Sequence, residues 1–291
     1  MQPDSASDKG VIYVAFGETY RKLAVLSISY LRRYGYSGPV RILTDFSGWD
    51  LSCLDCEVLE VPSTGPGFGT RHYKTRLNEY GFDTTLFLDA DTVPVSSIDD
   101  IWNELRTADV CLSRDRHPDV MDLVSRGGGH KSTWLPGEPS PDRRHPEYEH
   151  MAALGLMRHP LHSSGVMLFR RSAVTDLLFR TWHEEWKRFG HEDQLALVRA
   201  LSRTGCHIDE LPACWNARMK GWNAAKNSWP RHARILHLRP ENGGLPESVF
   251  DQPAFNAPKN GSANSSRIWM RALNTAKRAR AALTGGRSHK R

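Results

Sequence analysis

Short apolar, β-prone runs alternate with stretches of helical spacing along most of the chain, and this alternation limits the fold more than any other feature. "VIYVAF" (11–16) is a buried-strand run, and Leu23, Leu26, Ser27, Tyr30 and Leu31 recur at helical spacing until Gly35 stops them. "PVRILTD" (39–45) and "CEVLEVP" (56–62) read as further strands, followed by a Gly/Pro-rich loop "STGPGFG" (63–69), a helix near 71–80 and the strand "TTLFLDAD" (84–91). Beyond these come a short helix near 98–105, strands over 109–115 and 164–170, helices over 172–188 and 191–204, and short strands over 207–211 and 234–238. The pattern predicts an α/β fold, a mostly parallel central sheet with helices on both faces. Ligands in such sheets bind beyond the carboxyl ends of the strands, where Asp89 and Asp91 stand.

Composition narrows the class. A chain of 291 residues with 39% hydrophobic content can bury a substantial core. No run approaches the roughly 18–20 apolar residues needed to cross a bilayer, and "MQPDSASDKG" has the features of no signal peptide. A soluble, cytoplasmic protein is expected. Five cysteines suit packing better than a disulfide framework, with redox chemistry at the Cys53/Cys56 C-x-x-C as the alternative. From Arg267 onward there are eight Lys/Arg and no acid, while the rest carries 31 basic against 33 acidic residues. A body so near neutrality argues against a nucleic-acid surface spread over the fold, and no specific nucleic acid is expected. In the tail, Trp269, Ala272, Leu273, Ala276 and Leu283 recur at helical spacing among basic residues, so residues 265–291 form a candidate amphipathic contact with an anionic membrane surface. A solvated tail is the plain alternative. Residues 115–160, rich in Gly, Pro, His and Arg, read as an insertion on the acceptor side of a site or as disorder.

The two aspartates of "DADTVP" carry the chemistry. Side chains at i and i+2 of a strand share one ion only if the chain turns at the second, and the proline is read as supplying that turn. Carboxylate oxygens suit Mg²⁺ or Mn²⁺, which keep open positions for substrate phosphates. A D-x-D alone is weak evidence. "DADTV" also fits the haloacid-dehalogenase phosphatase string, with Asp89 as nucleophile, but the later acidic pair which that chemistry needs is missing.

The ordered set of motifs resembles the GT-A nucleotide-diphospho-sugar glycosyltransferases, above all the retaining family-8 group. The segments are "YVAFGETY", "FLDADTVPVSSIDDIW", "HSSGVMLFRRS", "HEDQLALVRAL", "LPACWN" and "RILHL". The resemblance implies a GT-A, Rossmann-like domain over 11–240, leaving 241–264 as a linker. It implies transfer of a sugar from a nucleotide-sugar donor, of the UDP type, to a hydroxyl acceptor (a glycan, lipid-linked or protein) with retention of configuration. Mn²⁺ or Mg²⁺ would be held by Asp89, Asp91 and His237. Ala15, Phe16, Gly17 and Tyr20 would line the base, although Phe16 also reads as core. Lys74 would reach a phosphate, with a solvated helix lysine as its alternative. Asp89, Ala90, Ser164, Gly165 and Asn216 would surround the nucleotide sugar, and Asp193 and Gln194 would be catalytic, although an Asp opening a helix also suits the helix dipole. Two features depart from the family pattern: Ser163 replaces an Asn, and "HLRPENGG" lacks the usual continuation after the histidine, leaving open whether Arg239 serves the diphosphate. Trp215, Trp222 and Trp229, seven residues apart, read as core or as a sugar platform. A binding protein with a decayed site remains the non-enzymatic alternative.

Overall fold

The computed structural model describes residues 9–46, 48–63, 69–125, 144–190, 193–218 and 232–238. The first half-sheet is built as the sequence predicts, from β1 (Lys9–Val14), α1 (Gly17–Arg33), β2 (Val40–Thr44) and β3 (Glu57–Glu60). Two short helices, α2 (Gly69–Lys74) and α3 (Leu77–Tyr80), replace the single helix expected near 71–80 and lead into β4 (Thr84–Asp89) and β5 (Thr92–Pro94). The second half comprises β6 (Val110–Asp119), α4 (Val120–Ser125), α5 (Arg144–Ala153), β7 (Pro160–Arg170), α6 (Ala173–Phe189), α7 (Asp193–Thr204) and β8 (Ile208–Leu211). Two short strands, β9 (Ala217–Arg218) and β10 (Ile235–His237), complete the described chain.

Seven strands form one sheet in the order β3-β2-β1-β4-β7-β6-β8. β7 runs antiparallel between β4 and β6, and the remaining neighbours are parallel. The strand alternation sorts side chains onto two cores. Val11, Tyr13, Leu86, Leu88, Val166 and Leu168 share one core with Leu23, Ile28 and Leu31 of α1. Ile12, Val14, Phe87, Met167 and Phe169 share the other with Leu178, Trp182 and Leu197 of α6 and α7. Ser172 and Thr175 form a capping box that starts α6, and Gly190, in the left-handed conformation, ends it. Fully buried Arg199 of α7 bonds Glu185 of α6 at 2.8 Å and Glu147 of α5 at 2.9 Å, so the cation leaves water only with both partners in place.

Several further expectations meet the structure as follows. The segment 115–160 carries the end of β6, all of α4 and α5 and the start of β7, while 126–143 lie outside the described residues. Trp215 is buried in the core, its indole N–H donating to Glu104 at 3.0 Å; Trp222, Trp229, Arg239, the 241–264 linker and the 265–291 tail are outside the described residues. All five cysteines are free thiols. Among the described residues no helix is long and apolar enough to cross a membrane.

His162, at the start of β7, is 9% exposed with no partner for Nδ1, and burial pushes its pKa from 6.5 down to about 4. A histidine kept neutral by folding makes the unfolded chain the better proton binder, so its contribution is lost as pH falls from 6.5 towards 4. Urea titrations over this range should show His162→Gln flattening the decline in stability by up to ~1.4 kcal/mol per pH unit. An unchanged slope would show that His162 titrates normally in the folded protein.

Candidate functional site

The carboxyl edge of the sheet opens into a cleft of about 430 Å³. At its floor β4 ends in Asp89 and the chain turns at Ala90 and Asp91 before starting β5. Thr92 closes this turn by donating its hydroxyl to the Asp89 carbonyl at 2.7 Å. Pro94, to which the sequence reading gave the turn, instead pairs with Ile235 inside β5. The turn gives the two carboxylates a common side. β10 then pairs with β5, and the Leu238 N–H donates to the Asp91 carbonyl at 2.8 Å, which brings His237 Nε2 to 3.3 Å from Asp91 Oδ1. Asp91 is thereby half-buried, its side chain 14% exposed, and not in the open turn expected.

Asp89, Asp91 and His237 each offer one ligand atom within 4.8 Å of the others, and they are the one such group among the described residues. Two features fit this triad to a divalent ion. His237 Nδ1 lies 3.0 Å from Asn216 Oδ1, an atom that only accepts, so Nδ1 donates there and Nε2, turned towards the aspartates, is the nitrogen that a metal would take on the neutral ring. Asn216 is oriented in turn by donating to Ser163 Oγ at 3.0 Å. The second feature is Gly165, where a Cβ would lie 2.3 Å from His237 Cε1 and 3.0 Å from Asp89 Oδ2. Only glycine lets β7 pass this close. The two carboxylates suit Mn²⁺ or Mg²⁺, and the imidazole suits a transition ion such as Mn²⁺ better than Mg²⁺.

A second charged group adjoins the first. Lys74 Nζ lies 2.9 and 3.1 Å from the two Asp89 oxygens and 3.4 Å from Asp193 Oδ2. Asp193, which opens α7, also accepts from Ser164 Oγ at 2.8 Å and faces Arg71 Nε at 4.0 Å. The Trp182 indole N–H holds its carbonyl at 2.7 Å. Burial alone would raise the Asp193 carboxyl, but Lys74, Arg71 and the Ser164 hydroxyl outweigh it and hold the group below its ordinary range. Burial pushes the Asp89 carboxyl up, against the pull of Lys74 and with the charge of Asp91 adding to the push. Lys74 is raised, its burial outweighed by Asp89 and Asp193. It is therefore an ion-paired group at the cleft and not a solvated helix lysine.

Of the residues the sequence singled out, Phe16, Gly17, Tyr20, Lys74, Asp89, Ala90, Asp91 and Asp193 line the cleft. Phe16 stacks on Tyr73 with ring centroids 5.4 Å apart, so it serves core and cleft together. Ala15 does not reach the lining: it is fully buried in the α1 core, because its side chain follows the Val11 and Tyr13 face of the strand. Ser164, Gly165 and Asn216 stand behind the lining, where they set Asp193, Asp89 and His237. Gln194 is also off the lining, its amide donating to Asp115 Oδ2 at 3.0 Å and to the His162 carbonyl at 2.9 Å. The sequence reading missed Asp45, Ser63, Thr70 and Arg71 in the cleft wall and Asp115, which pairs with Arg218 at 2.7 Å. Asp45 and Asp115 were findable, since each follows an apolar run whose carboxyl end faces the same edge.

No protein-family model and no curated protein matches the sequence. Solved structures do match the fold. Apo mouse xyloside xylosyltransferase 1 superposes with a TM-score of 0.51 at 13% identity, over 82% of this chain and 100% of that one. The galactosyltransferase LgtC in complex with donor and acceptor sugar analogues gives 0.52 at 14% identity, over 87% and 98%. The bifunctional glycosyltransferase WbbM, apo, gives 0.55 at 12% identity over 93% of this chain, which spans about half (53%) of that longer one.

Removing the Asn216 amide should leave the sheet intact and free the imidazole ring. Asn216→Ala should weaken Mn²⁺ binding, measured by titration, about 10–100-fold, as for other outer-shell partners of metal ligands. Unaltered affinity would show that Asn216 does not orient His237. The architecture is that of GT-A glycosyltransferases.

Proposed function

We propose that the protein is a glycosyltransferase that uses Mn²⁺ or Mg²⁺ to move a sugar from a nucleotide diphosphate, UDP in the first instance, to a hydroxyl acceptor with retention of configuration. The observation that carries this reading is the Asp89/Asp91/His237 triad, whose two carboxylates line a cleft together with Phe16, Tyr20, Lys74 and Arg71. A bound divalent ion would supply Lewis-acid stabilisation to the diphosphate leaving group. Phe16 and Tyr20 offer ring surface for a base at one end of the cleft. Lys74 and Arg71 offer positive charge along the path from the base to Asp193.

Asp193 stands where the transferred sugar would lie. A carboxylate held by one ammonium, one guanidinium and one hydroxyl is a weak base and a weak nucleophile. Its arrangement suits a hydrogen bond to a sugar hydroxyl and stabilisation of developing positive charge at the anomeric carbon. This favours same-face attack, with the acceptor proton passing to the leaving phosphate, over a covalent intermediate on Asp193. The phosphatase reading lacks support, since the third ligand is a histidine and no second acidic group completes a magnesium site among the described residues. The acceptor, whether glycan, lipid-linked or protein, would enter from the side of Asp115 and Arg218. Attachment to an anionic membrane through 265–291 is a further part of the proposal, resting on the sequence pattern of the tail.

Hydrolysis and transfer assays over UDP-, GDP- and CMP-sugars with and without Mn²⁺ test the reading. Asp91→Asn should abolish metal-dependent turnover while the far-UV spectrum is retained; full turnover in that variant would remove the metal assignment. Asp193→Asn, nearly isosteric, should lower kcat by about 10²-fold or more with a much smaller change in KM, the signature of an interaction made in the transition state. A proportional loss of donor binding would instead make Asp193 a ground-state contact.

A further inference from the structure

We infer that Lys74 makes cation binding at the Asp89/Asp91/His237 triad depend on a bound diphosphate. The inference rests on the metal-dependent reading above and concerns how the site is charged. Lys74 is 6% exposed at the end of α2, its ammonium 5.3 Å above the Phe87 ring and in contact with both Asp89 oxygens. Asp193 Oδ2 lies 3.4 Å from the same nitrogen. An ammonium so enclosed cannot move to bulk water without leaving Phe87, Asp89 and Asp193 together. A divalent ion that ligates Asp89 must therefore share that carboxylate with a fixed positive charge one carboxylate away.

The charges explain the dependence. Asp89, Asp91 and Asp193 face Lys74 and Arg71, an excess of one negative charge. A divalent ion reverses the excess, leaving net positive charge in a part-buried site where like charges a few ångströms apart repel strongly. A diphosphate entering the cleft restores the balance of charge around Lys74. Ion and diphosphate then each tighten the other by one shared factor, as linkage requires. Without the lysine, the triad would hold an ion by itself and the coupling would shrink.

The test measures free Mn²⁺ by electron paramagnetic resonance during titrations of the full chain, with and without UDP. In the wild type, UDP should tighten Mn²⁺ binding by at least about tenfold. Lys74→Met should bind Mn²⁺ alone at least about tenfold more tightly than the wild type and lose most of the UDP effect, while Lys74→Arg should behave like the wild type. Lys74→Gln, neutral but still able to donate to Asp89, carries the same expectation if thermal melting shows that the Met variant does not fold. Equal or weaker Mn²⁺ binding by the neutral variants without nucleotide overturns the inference. If Asp91→Asn at the same time abolishes Mn²⁺ binding, the metal reading stands and only the role of Lys74 falls. If no variant binds Mn²⁺ even with UDP, both fall.

Discussion

The passage of β7 across the floor of the site, at Gly165, is the constraint on which the rest depends. Any side chain there would overlap His237 and press on Asp89, so the triad can close only around a bare backbone. The antiparallel course of β7 puts that glycine in the right place. Val166 pairs with Leu88, so Gly165 falls level with Asp89 and Ser163 and Ser164 lie beyond the end of β4, at the edge where the parallel strands deliver their carboxyl termini. One reversed strand thus brings the start of its own run to the same edge as the ends of its neighbours. β6, paired Ser113 to Ser163, brings Asp115 to that edge, and the chain after β8 brings Asn216.

Electrostatic frustration is built into this edge. Three carboxylates converge on this edge: Asp89 is offset by Lys74, Asp193 by Lys74, Arg71 and the Ser164 hydroxyl, and Asp91 lies against His237 Nε2 at 3.3 Å. Folding alone would favour apolar residues here, since a buried ion network seldom exceeds a well-packed core in stability. The stability comes instead from the two cores on the sheet faces, which reach the cleft at Val14, Phe16 and Ala90.

What the sequence made legible follows from the same division. The apolar runs of β1, β2 and β4 and the helical spacing of α1, α6 and α7 are face-sorting patterns, and they appear in the structure within a residue or two of their predicted ends. β7 was read from Ser164 but begins at Pro160, and β6 runs on to Asp119, because the residues past the apolar runs are polar for the sake of the site and erase the strand signal. Ala15 was misplaced for a related reason. Its neighbours Phe16 and Gly17 line the cleft, but strand alternation sends the Ala15 side chain the other way. The turn after Asp89 depends on a hydroxyl of Thr92 reaching back three residues, a contact that no composition rule weighs as heavily as a nearby proline.

Ser163 is placed by the structure among the groups that orient His237. In the sequence this serine stands where the resembled family has an asparagine, which put sugar contacts there in doubt. In the structure its hydroxyl accepts from the Asn216 amide, and Asn216 in turn accepts from the His237 ring. The serine is thereby a positioning residue two hydrogen bonds removed from the imidazole nitrogen that faces the aspartates. Ser163, Asn216 and His237 are thus parts of one hydrogen-bonded arrangement, which links β7 to the ring that faces the aspartates.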